Sequence, residues 1–118
     1  MNDLRQLVLL EQQALEYYKD SDYSSVVCTL VQAIKGVGLH TVVVPRNKSY
    51  MVYVSAVPIT TALPVVVIRL YKVGGLQRTL DAVMGTNIPT YHVSHDGELV
   101  GQPCTITGAV ATVQACFE

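Results

Sequence analysis

Charge is scarce in this chain. Asp, Glu, Lys and Arg make up 14% of its 118 residues, against about 25% in an average soluble domain. With half of the residues apolar, that excludes a disordered tail, which combines high charge with low hydrophobicity. A formal net charge of −1 gives no general attraction for a nucleic-acid backbone, so nucleic acid is not an expected partner. Tryptophan is absent and phenylalanine occurs once. No run approaches the ~18 apolar residues of a membrane-spanning helix, so no membrane partner is expected. The three cysteines, Cys28, Cys104 and Cys116, are odd in number and widely spaced, which is no disulfide framework. They read as small apolar groups in the core, suited to a reducing compartment. The start, Met1-Asn2-Asp3-Leu4-Arg5, followed by only a short apolar run at Leu7–Leu10, does not read as a secretory signal. The expected location is therefore the cytoplasm or a virion assembled there.

The length predicts one domain spanning residues 1–118, with a helical part over 1–37 and a β-rich part over 38–118. Over residues 2–19, Leu4, Leu7, Val8, Ala14, Leu15 and Tyr18 recur at helical spacing, with Asn2 or Asp3 as a cap. Ser21-Asp22 offers a second cap, and Val26, Val27, Leu30, Val31 and Ile34 form the next stripe. After Gly38 the pattern turns β-branched. Residues 39–44 and 50–57 read as a hairpin around Pro45-Arg46-Asn47-Lys48-Ser49. Pro58 and Pro64 bracket a loop, and residues 65–73 are the strongest strand. Its Val66, Ile68 and Leu70 share one face. Leu76, Thr79, Leu80 and Val83 fit a short helix stopped by Gly85. Thr90–Ser94 and Glu98–Val100 flank an Asp96-Gly97 turn. Cys104–Phe117, with Thr, Ile, Val and Ala and a single Gly108, reads as a last strand, bulged at that glycine. The expected fold class is α+β: two N-terminal helices, then a mostly antiparallel sheet or small sandwich with one short inserted helix.

The few charges are sorted into blocks. Residues 1–22 hold Asp3, Glu11, Glu16, Asp20 and Asp22 against Arg5 and Lys19. From Tyr23 to Leu80 there is no acid, only Lys35, Arg46, Lys48, Arg69, Lys72 and Arg78. Residues 81–118 hold Asp81, Asp96, Glu98 and Glu118 and no base. Opposed patches of this kind set register and partner choice between subunits more than they add affinity. The hairpin turn at 45–49 and the turn at 95–97 are both tips. This makes Arg46, Lys48, Arg69 and Lys72 candidates to face Asp96 and Glu98 of a neighbouring copy. Leu4, Leu7 and Leu15 are candidates to bury against the second helix or another chain. Strands this poor in Lys and Glu are a pairing hazard unless something covers their edges.

Catalytic grammar is thin. His92, His95 and Asp96 could hold a metal or supply a general base, but strand alternation sends His92 and His95 to opposite faces. Cys104 beside His95 would be a thiolate–imidazole pair, though set at a strand start rather than at an activating helix N-terminus. Gly74-Gly75 lacks the Lys-Ser/Thr of a phosphate loop. No cofactor, metal site or catalytic residue is assigned. The sequence favours a non-enzymatic, self-associating structural or accessory protein, such as a component of a viral particle or another multi-subunit assembly, with a homo-oligomer or other assembly subunits as partners. The alternatives are a small ligand-binding or metal-dependent hydrolytic protein using the His92/His95/Asp96 turn, and an adaptor docking through the N-terminal helix.

Overall fold

A computed structural model describes residues 4–59, 66–85 and 88–118. The described elements are α1 (Leu4–Lys19), α2 (Tyr23–Gly36), β1 (His40–Pro45), β2 (Ser49–Ser55), β3 (Val66–Tyr71), α3 (Gly75–Met84), β4 (His92–His95), β5 (Glu98–Gly101) and α4 (Ile106–Cys116). The class is α+β. The five strands form one antiparallel meander in the order β1-β2-β3-β4-β5. The Asn2/Asp3 cap and the loop between Pro58 and Pro64 fall mostly outside the described residues.

Helices α1, α2 and α4 pack on one another, and α2 and α4 cover one face of the sheet. The core lies between these two layers. Val52 and Val54 of β2, Val66, Ile68 and Leu70 of β3 and Val93 of β4 point into it. They share a face because side chains alternate along a strand and the register aligns Val52 with Ile68 and Ile68 with Val93. From the helices come Val26, Leu30 and Ile34 of α2 and Ile106 and Val113 of α4. Asp22 is the N-cap of α2, accepting from the Ser25 backbone N–H at 3.3 Å. Tyr23 ties α2 to the end of the sheet, its hydroxyl accepting from the Val73 N–H at 3.0 Å. The turn between β4 and β5 is the Asp-Gly type that the sequence signals. Both central residues have positive φ, 53° at Asp96 and 86° at Gly97, the backbone a tight hairpin requires.

The last segment is a correction. Residues 106–116 are a helix, not a bulged strand. Thr105 caps it by accepting from the Gly108 N–H at 2.9 Å, and Ile106, Ala109, Val110 and Val113 bury one face at helical spacing. Gly108 is therefore a first-turn residue of α4. A Cβ there would meet the Thr105 hydroxyl at 2.9 Å and Pro103 Cβ at 3.0 Å, so close packing against the entering chain explains the glycine. The cysteines are a second correction: Cys28 and Cys104 are exposed and Cys116 is half-buried.

Glu11 joins α1 to the start of α4. Its Oε1 accepts from the Ile106 backbone N–H, one of the donors that a helix start leaves open. Its Oε2 is buried with no hydrogen-bond partner, as is the Tyr91 hydroxyl. Burial pushes the Glu11 carboxyl above its ordinary value of 4.5, outweighing the Ile106 and Thr107 backbone N–H groups that favour the charged form. A raised acid contributes stability that is complete below the unfolded value and is lost as pH rises through the folded one. Glu11→Gln keeps an acceptor and removes the charge. Its unfolding midpoint in urea should match the parent at pH 3.5 and exceed it at pH 7. A gap that does not change between the two pH values would contradict this account.

Candidate functional site

Helix α3 stands apart from the other three. It connects β3 to β4, and among the described residues it makes none of the extensive helix or sheet packing that holds α1, α2 and α4. Its apolar residues nevertheless form one stripe: Leu76, Leu80, Val83 and Met84 recur at i, i+4, i+7 and i+8. They are 79%, 50%, 80% and 73% exposed. The opposite side is polar, with Gln77 donating to Asp81 at 2.8 Å. A helix of this pattern normally turns its stripe to the core; here the stripe faces solvent. A contiguous exposed apolar patch on a soluble domain marks an interaction site more often than chance.

The sheet has a second exposed feature. No described helix packs on the face away from the core. There, cross-strand register sets Met51 of β2, Arg69 of β3 and His92 of β4 side by side. With Val67, Tyr71 and Ser94 they line a groove of about 410 Å³. The Arg69 guanidinium lies along it, donating to the Tyr71 hydroxyl at 3.3 Å and to Met51 Sδ at 3.4 Å. Tyr71 also meets His92 edge-to-face, ring centroids 5.0 Å apart.

The charged tips sit at opposite ends of the sheet. Pairing of Ser49 with Tyr71 and of Val66 with His95 fixes this. At one end, the Lys72 backbone N–H donates to the Lys48 carbonyl at 2.9 Å, and Lys72 Nζ lies 5.0 Å from the Tyr50 ring and 3.5 Å from the Arg46 carbonyl. At the other are Asp96 and Glu98, both exposed. Six strand residues at ~3.3 Å each separate the ends by about 20 Å, too far for pairing within one molecule. Arg46, Lys48 and Lys72 are thus gathered, whereas Arg69 lies apart in the groove. Of the α1 candidates, Leu7 packs against the core, Leu15 is half-buried, and Leu4 is exposed together with Val8.

If the two tips meet between copies, Arg46→Glu with Lys48→Glu should slow association at low salt, and adding Asp96→Lys with Glu98→Lys should restore part of it. Each exposed pair contributes only ~0–1 kcal/mol, so the joint effect should fade as salt screens it. Light scattering against time at two ionic strengths reads this out. Unchanged association at low salt would make the charge blocks an accident.

The histidine turn does not converge. His92 lines the open-face groove, and His95 lies on the other side of β4, with Nε2 3.7 Å from Asp96 Oδ2 on the exposed turn. Among the described residues no group of three or more His, Cys, Asp or Glu is placed to hold a metal. Cys104 precedes the cap of α4 rather than opening a strand. Among the described residues no helix is long and apolar enough to cross a membrane.

Sequence reasoning found the α3 stripe as a helix face but did not foresee that it points outward. It named Arg69 but not its groove, whose lining depends on the pairing of three strands. No family model, curated protein or solved structure matches the chain.

Proposed function

We propose that this chain is a non-enzymatic, self-associating subunit, a structural or accessory component of a multi-subunit assembly, and that copies pair through α3. The observation that carries this reading is the exposed stripe of Leu76, Leu80, Val83 and Met84 on a helix that leaves the core to the other three. Two copies related by a two-fold axis would bury the same face on both sides, the commonest geometry of homo-oligomers. Side chains of this size are worth ~1.5–3 kcal/mol each when moved fully out of water. The basic and acidic tips suit the same partner, since one chain carries both signs at opposite ends. The charge-poor edge strand β1, with Val42 and Val43 exposed, adds a surface that a neighbour would protect. A viral particle or comparable shell is the kind of assembly this fits. The exposed Leu4 and Val8 at the start of α1 favour a second reading, an adaptor that docks another protein through that helix.

Hydrogen exchange at two protein concentrations tests the α3 reading. Amides of residues 75–84 should become more protected at the higher concentration, while those of α1 keep their rates. Equal exchange over 75–84 at both concentrations would overturn α3 pairing, and protection gained only at the start of α1 would move the contact between copies to that helix.

A further inference from the structure

Among the described residues, the cation in the groove on the open sheet face has no acid beside it. The Arg69 Nε is buried and has no hydrogen-bond partner. Among the described residues its outer nitrogens reach a phenol oxygen and a thioether sulfur, at 3.3 and 3.4 Å, and sulfur is a weak acceptor. The guanidinium carbon lies 5.8 Å from the centre of the Tyr71 ring. A His–carboxylate contact, His95 Nε2 with Asp96 Oδ2 at 3.7 Å, lies on the turn at the far end of the strand. Among the described residues no acid lines the groove. A guanidinium drawn partly out of water without an anion is costly, and an arriving anion would offset that cost.

From this we infer that the groove binds a small organic carboxylate carried on an aliphatic or aromatic body. A single planar fork with one positive charge matches the two oxygens of one carboxylate. A phosphate would call for more cationic or backbone donors than this groove supplies. The ligand's carboxylate takes the outer N–H groups of Arg69, with the Ser94 hydroxyl and the His92 ring as flanking polar groups. Its apolar body lies on Val67, Met51 and Leu99, against the edge-to-face pair of Tyr71 and His92. A volume of about 410 Å³ falls within the ~300–1,000 Å³ of small-molecule sites. The site is separate from the α3 stripe and does not depend on self-association.

Amide chemical shifts of the full-length chain, titrated with 4-phenylbutyrate, 4-phenylbutanol and inorganic phosphate, test the assignment. The carboxylate should give saturable shifts at residues 51, 67, 69, 71, 92 and 94, and the alcohol and phosphate should bind at least tenfold more weakly. Arg69→Met should weaken the carboxylate at least tenfold. Met51→Glu places an acid on the cross-strand neighbour of Arg69. It should raise the melting temperature and abolish carboxylate binding, so it decides the matter if Arg69→Met does not fold. Equal binding of alcohol and carboxylate, affinity unchanged in both variants, or shifts confined to residues 75–84 would overturn the proposal. So would groove resonances that move with protein concentration alone, which would make the groove a contact between copies.

Discussion

Ile68→Ala should lower the free energy of unfolding by about 2–5 kcal/mol. Ile68 is fully buried on the central strand β3, between Val52 of β2 and Val93 of β4, beneath the helical layer. Truncation removes the apolar contacts and leaves a cavity that a sheet locked on both sides cannot collapse around. Domains of this kind hold only ~5–15 kcal/mol in total, so the loss is a large share of it. Urea unfolding followed by circular dichroism reads the difference. A change below ~0.5 kcal/mol, the scale of ordinary surface sites, would mean that β3 does not hold the register described.

Leu76→Gln, Leu80→Gln and Val83→Gln together should weaken self-association more than 100-fold while leaving the fold intact. Glutamine is a good helix former, so the variant changes the surface of α3 and spares its backbone. The three side chains are already half or more exposed within one chain, and such positions contribute about ±0.5 kcal/mol to folding. In the proposed pair of copies they would be buried on both sides, and a factor of 100 corresponds to only ~2.8 kcal/mol. A dilution series followed by light scattering measures the constant. Loss of folding instead of loss of association would mean that the stripe serves its own domain.

Much of this architecture is legible in the sequence, for identifiable reasons. Helix α2 carries both its cap, Asp22, and an unbroken stripe from Val26 to Ile34. The first hairpin has its turn residues and the second its Asp96-Gly97. Helix α4 is misread because Ile106, Val110, Thr112 and Val113 favour strands by composition, and Gly108 resembles a bulge. Two signals pointed the other way: Thr105 as a cap, and apolar positions 106, 109, 110 and 113 at helical spacing. Tertiary burial of that face overrode the weaker β propensity of its residues. Periodicity marks α3 as amphipathic but carries no information about which way the stripe turns. The groove around Arg69 is less legible still. It exists because Met51, Arg69 and His92, far apart in the chain, occupy one cross-strand row.

The native mass of the wild-type chain, measured by light scattering at two concentrations and two salt levels, tests self-association through α3 most directly. At the higher concentration the native mass should be at least twice the single-chain mass of 12.8 kDa. Because the proposed α3 contact is apolar, that mass should persist at high salt even where the rate of assembly slows. A mass of one chain at every concentration and salt level would contradict the account.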